Sequence, residues 1–207
     1  MRAKVLFMSL VLGCLWSCQQ DETIEQTDGR TIKFTSVVIG DETLSRARGS
    51  TSIDVISMRT ELDDKFTVFD LKKDTRSWGE FSKKSEVFFY AHYPRLPESV
   101  AGNETRVLEG GTNDYLFGKA KAVAGQQQVC LQFKRVMAPL IVEVLDGDGR
   151  SYQGDIEVSA LIKNKGIQNL KDGSIVILDE KKYTSFNRFD NDGKQVINLL
   201  PQRIEKG

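Results

Sequence analysis

Downstream of its N-terminal apolar segment, the chain offers no ten-residue window with apolar side chains at helical spacing. It offers instead short β-branched or alternating runs, punctuated by Gly, Asp and Pro. Period-two patterning of that kind predicts strands. The runs are 31–39, 53–58 (strand or short helix), 65–70, 86–93, 114–120, 128–133, 140–145, 156–162, 173–178 and 195–201. Pro94 ends the fourth, and Trp78 falls in a turn-rich stretch before it. Residues 94–113 read as a long loop and 134–139 as a tight crossover. Asp146-Gly147-Asp148-Gly149 is a strong turn, and Asp172-Gly173 and Asp192-Gly193 have hairpin character. Many short strands joined by such turns predict an all-β sandwich or barrel. A boundary near the 146–149 turn divides the chain into an N-terminal β domain, 31–148, and a second, shorter β domain, 149–207.

The first residues set the compartment. Arg2 and Lys4 precede an apolar stretch, 5–16, that is shorter than the roughly 20 residues a membrane-spanning helix needs. Leu15-Trp16-Ser17-Cys18 closes it with an aliphatic residue, a spacer, a small residue and Cys. This resembles the lipobox of bacterial lipoproteins, so residues 1–17 are expected to be a signal peptide and Cys18 the lipidated residue. Polar Gln19-Gln20-Asp21-Glu22 begins directly after it. An earlier match, Val11-Leu12-Gly13-Cys14, would leave the apolar stretch short. Stable anchoring takes two acyl chains or more, which such lipoproteins carry. Residues 18–30 are polar and read as the tether between lipid and domain.

Composition narrows the chemistry. Lys plus Arg and Asp plus Glu are both 29, so no basic excess calls for a nucleic-acid partner. With Cys14 in the signal and Cys18 lipidated, Cys130 stands alone and no disulfide framework is expected. Its place in an apolar alternation, Val129-Cys130-Leu131-Gln132-Phe133, suggests a core filler. His92 is the single histidine, set in the aromatic run Phe88-Phe89-Tyr90-Ala91-His92-Tyr93, where alternation puts it on one face with Phe88 and Tyr90. It reads as a half-buried, hydrogen-bonded strand residue. No Gly-x-Ser-x-Gly elbow, zinc-ligand cluster or phosphate loop accompanies it. Asp146, Asp148 and Glu157 sit at the first, third and twelfth positions of a calcium-loop pattern, but Arg150 at the fifth spoils it. The paired acids Asp63-Asp64 and Asp179-Glu180 are flanked by lysines and read as solvated loops. No catalytic residue, metal site or cofactor is expected, and the chain does not read as an enzyme.

The order of several segments then becomes informative. Ile32-Lys33-Phe34 is followed by Arg46-Ala47, by Trp78, and by Phe88-Phe89-Tyr90-Ala91-His92-Tyr93-Pro94. Asp114-Tyr115-Leu116-Phe117-Gly118 comes next, then the stretch 129–144, then Leu199-Leu200-Pro201-Gln202. Together with the lipobox, this resembles the fimbrillin family, the Mfa-like lipoprotein precursors of type V pili in Bacteroides-like anaerobes. One departure is Phe133-Lys134-Arg135, where the family pattern has a histidine at the third place. The resemblance implies tandem transthyretin-like β-sandwich domains, the second apparently incomplete here. It implies an outer-membrane, cell-surface location through the lipid anchor, and proteolytic removal of a first strand, 32–39, by a cut after Arg46 or Arg48. It also implies donor-strand partnership with other pilin subunits, with a host or bacterial surface ligand as a further partner. A pilus subunit, tip or anchor protein with a structural or adhesive role follows. The alternative is a non-polymerising outer-membrane lipoprotein that binds glycans or other surface ligands through aromatics such as Trp78 and Tyr93.

Overall fold

A computed structural model describes residues 30–39, 53–81, 83–111, 113–150, 152, 157–186 and 194–202. The expected signal peptide, most of the tether, Cys18, Arg46, Arg48 and the Asp192-Gly193 turn lie outside these residues. Fourteen strands are described: β1 (Thr31–Val38), β2 (Val55–Thr60), β3 (Thr67–Asp70), β4 (Arg76–Ser77), β5 (Glu86–Tyr93), β6 (Thr105–Glu109) and β7 (Leu116–Val123). β8 (Gln128–Arg135), β9 (Ala138–Glu143), β10 (Val158–Lys163), β11 (Lys165–Asn169), β12 (Ile175–Ile177), β13 (Lys181–Phe186) and β14 (Lys194–Leu199) complete the series. A single 3₁₀ turn, Trp78–Phe81, and one short helix, α1 (Glu98–Ala101), interrupt them. The architecture is all-β, as the alternation predicts. No helix among the described residues is long and apolar enough to cross a membrane.

The main sheet has seven strands in the order β3-β2-β5-β7-β8-β1-β4. Every pairing in it is antiparallel except β1 with β8. The sheet curls until its two ends face each other across one core. The Phe34 ring on β1 stands edge-on to Phe69 on β3 at 5.3 Å and to Phe89 on β5 at 4.9 Å. Val87, Phe89 and Ala91 point into this core with Ile56, Met58, Leu116, Val129, Leu131 and Phe133. Gly118 allows β7 and β8 to close, because a Cβ there would stand 2.8 Å from the Phe133 ring.

β5 is buried on both faces. Its other side carries Tyr90 and His92 into a second cluster with Phe66, Leu96 and Leu170. Residues 94–101 cover this face. Leu96 N donates to Ser57 Oγ at 2.8 Å, and Phe66 N donates to Ala101 O at 2.8 Å. The stretch 94–113 is therefore not a plain loop: it contains α1 and β6.

Smaller sheets complete the molecule: β12-β11-β6, β10-β13 and β14-β9. Leu108, Val136, Met137 and Leu200 form one small core, and Ile162, Ile197 and Leu199 another. Two of these ladders, β6 with β11 and β9 with β14, join strands from the two sides of position 148. At the 146–149 turn, Asp146 Oδ1 accepts from the amides of Asp148 (2.9 Å) and Arg150 (2.8 Å), and Gly149 takes φ +77°. That carboxylate caps backbone donors in the manner of an Asx turn.

Candidate functional site

The first strand occupies a seat with unequal sides. Its six-residue ladder with β8 runs parallel from Lys33 opposite Gln128 to Val38 opposite Phe133. Backbone bonds from Lys33 N to Gln127 O and from Ile39 N to Phe133 O, both 2.8 Å, close its two ends. On its other side only Thr31 and Ile32 pair, with Ser77 and Arg76 of β4. Beyond Ile32, that side of β1 has no strand neighbour among the described residues. Alternation sends Ile32 and Phe34 fully into the core, while Lys33, Thr35 and Val37 face out.

The β4 end is fixed by its own cluster. Trp78 N donates to Arg30 O at 2.6 Å, and Trp78 Nε1 donates to Gln126 O at 2.8 Å, tying the β1 entrance to the β7–β8 turn. Arg76 lies over the Phe81 ring at 5.1 Å and pairs with Glu80 (2.6 Å) and Asp63 (3.3 Å). Burial alone would raise the Asp63 carboxyl. The Thr60 amide and hydroxyl and the Arg76 guanidinium outweigh it and hold that carboxyl below the usual range. Asp63 is thus part of a half-buried network rather than a solvated loop, whereas Asp179 is exposed and pairs with Lys163 at 2.6 Å.

His92 is fully buried, deeper than the half-burial expected from its strand. Its Nε2 lies 2.8 Å from Leu170 O, so the neutral ring donates there. Phe66 stands edge-on at 4.9 Å, and the Phe117 ring lies tilted to it at 5.2 Å. Burial drives its pKa down to about 3; the Leu170 bond opposes this, and the charges of Arg106 and Arg59 add to it. Among the described residues no Asp, Glu, Ser or Cys bonds to it, which is the setting of a structural imidazole rather than a general base.

Two sequence expectations are corrected. Cys130 is exposed, not a core filler. Val129, Leu131 and Phe133 take the inward positions of β8, so period two turns Cys130 outward with Gln128 and Gln132. Trp78 is buried against Phe81 at 6.1 Å, and Tyr93 is half-buried against the main core. Neither offers the open ring face that a glycan platform needs. The aromatics that do stand exposed among the described residues are Tyr152 and Tyr183, which the sequence reading passed over.

Comparisons with known proteins bear on this geometry. No curated protein matches the chain. Among solved structures, a candidate cell adhesion protein from Bacteroides thetaiotaomicron VPI-5482 is 33% identical, with a TM-score of 0.64 over 83% of this chain and 76% of that one. Candidate cell adhesion proteins from Bacteroides ovatus ATCC 8483 (14% identity, TM-score 0.57, 85% and 80% covered) and Bacteroides uniformis ATCC 8492 (16%, 0.59, 84% and 75%) share the fold. Residues 50–207 match the fimbrillin-like family. With that span matched and a third of positions identical to a structural relative over most of both chains, the chain belongs to the fimbrillin-like family.

Proposed function

We propose that the chain is a pilus subunit, tip or anchor protein of the cell surface, held in the outer membrane through acylated Cys18 and assembled by donor-strand exchange. Its role is structural and adhesive, and it carries no catalytic centre. The single observation behind this reading is the seat of β1. A strand with two fully buried side chains, a full ladder on one side and two paired residues on the other can leave with little loss to the remaining sheet. Its departure opens a slot lined by Phe69 and Phe89 and frees the β8 edge. A bare edge with alternate apolar pockets is what β-strand addition uses. The segment that follows Ile39 carries Arg46 and Arg48, the two candidate cut sites.

Limited trypsin treatment tests the reading. New N-termini are expected at Ala47 or Gly49 before other basic sites are cut. The clipped protein should then form higher oligomers in size-exclusion chromatography, and the Arg46→Ala, Arg48→Ala double variant should stay monomeric under the same treatment. Cleavage elsewhere, or a clipped protein that remains monomeric, would sink donor-strand exchange and favour a non-polymerising surface binder.

The anchor is tested separately. Cells fed a lipid analogue should label the wild-type chain and fail to label Cys18→Ala. Undiminished labelling of that variant would move the anchor to Cys14.

A further inference from the structure

β6 is the edge strand of the sheet β12-β11-β6. Its ladder with β11 is fixed by the flanking bonds Leu170 N to Glu104 O (2.8 Å) and Gly110 N to Asn164 O (2.9 Å). Antiparallel pairs alternate between bonded and non-bonded. In this register Arg106 and Leu108 bond to Gln168 and Gly166, so Thr105 and Val107 turn their N–H and C=O groups to the edge that has no strand neighbour among the described residues. Val107 is also 66% exposed at its side chain.

A cleft of about 570 Å³ runs beside this edge. Residues from the 94–103 segment line it together with Asn113, Tyr115 and β6 itself. Among the described residues two cations line it, Arg95 and Arg106, and no acid does. Arg106 is 92% buried, lies over the Tyr115 ring at 4.6 Å, and makes one hydrogen bond, from Nε to Gln168 Oε1 at 2.7 Å. Among the described residues its Nη2 has no hydrogen-bond partner, and neither has Nε2 of the fully buried Gln168. A guanidinium has five donors and matches a carboxylate fork. Burying one without an anion is costly. Burial lowers the Arg106 pKa to about 10, against a smaller upward pull from Tyr115, so it is cationic at neutral pH.

We propose that this cleft docks an extended acidic peptide segment, which adds to the free edge of β6 at Thr105 and Val107 and sets a carboxylate on Arg106. The free backbone edge is what favours a peptide over an acidic sugar, since a sugar offers no repeating amide to pair with it. The site lies on β6, away from β1, and needs no cleavage. Failure here leaves donor-strand exchange untouched, and the trypsin experiment does not bear on this cleft.

The test uses the unclipped full chain in detergent and a fluorescein-labelled peptide, Thr-Val-Glu-Val-Glu-Val-Thr, read by anisotropy. Saturable binding is expected. Changing both Glu of the probe to Gln should weaken it roughly tenfold or more, the loss of a charge-assisted pair. N-methylation of the amides along one edge of the probe should abolish binding, while the same change along the other edge should leave it. Arg95→Gln, at an exposed position, should weaken binding and raise its independence of salt. Arg106→Gln should match the Gln probe in its loss; as it removes a packed side chain, its melting curve is recorded, and the probe-side changes decide if it does not fold. No saturation up to about 1 mM, equal binding of the Gln probe, or indifference to both methylation patterns overturns the proposal. So does binding of 3′-sialyllactose that the peptide cannot displace, which would make the cleft an acidic-sugar site.

Discussion

Replacing Phe34 by alanine should lower the stability of the intact chain by about 3–5 kcal/mol, the usual range for a buried Phe→Ala change. Phe34 is 4% exposed and meets two rings edge-on, so truncation removes apolar burial and both aromatic contacts while leaving a cavity. Denaturant titration reads the effect as a shifted midpoint. Val37→Ala, three residues along on the outer face of the same strand, should change stability by only about 0.5 kcal/mol. Similar costs for the two variants would mean that β1 does not present the face described. The same pair tests the exchange reading from another side. Phe34 leaves with β1, so the clipped Phe34→Ala protein should release that strand more readily and oligomerise faster. Phe89→Ala removes a wall of the slot itself and should impair both the intact fold and the acceptor.

Acidification should expose the second large effect. His92 is neutral in the folded chain, with its pKa lowered to about 3 chiefly by burial, whereas the unfolded chain binds a proton near pH 6.5. Between these values the unfolded state holds more protons, so stability falls as pH falls, by about 1.4 kcal/mol per unit. Above pH ~6.5 the group contributes no slope. A loss of roughly 2 kcal/mol between pH 6.5 and 5.0 follows from this one residue. The assignment is clean because the chain has one histidine, and carboxylates such as Asp63 and Asp172 act only at lower pH. His92→Gln should flatten the dependence over that window. A wild-type chain that is equally stable at pH 6.5 and 5.0 would contradict a buried neutral imidazole.

The strands that were legible in the sequence are those whose inward positions are apolar. In 86–93 the run shows as β5 residue for residue, since Val87, Phe89 and Ala91 fill one core and Tyr90 the other. β6 and β11 escaped because, of their four inward positions, Arg106, Gly166 and Gln168 are not hydrophobic side chains, which leaves Leu108 alone too little to make a period. β13 starts Lys181-Lys182 and shows Tyr183 to solvent, so its pattern resembles a polar turn. Cys130 was misplaced by trusting residue type over phase: its neighbours already fixed the inward face of β8. The β1 strand was visible in its own residues, but its parallel seat beside β8 is a long-range pairing that no local pattern encodes. The cleft at Arg106 was hidden for the same reason, since it depends on which edge of β6 is left without a neighbour.

The pairing of β1 with β8 also bears on the order in which the chain can fold. β2, β3, β5, β7 and β8 each find a partner nearby in sequence through antiparallel ladders. β1 must wait, because its partner begins at Gln128, about 95 residues downstream of Lys33. Contacts of such separation close late, after the loop-closure entropy between them has been met. In a chain that emerges N-terminus first, β1 would therefore appear without a seat and settle late. A sheet that assembles before its first strand arrives is also one that can outlast that strand's removal.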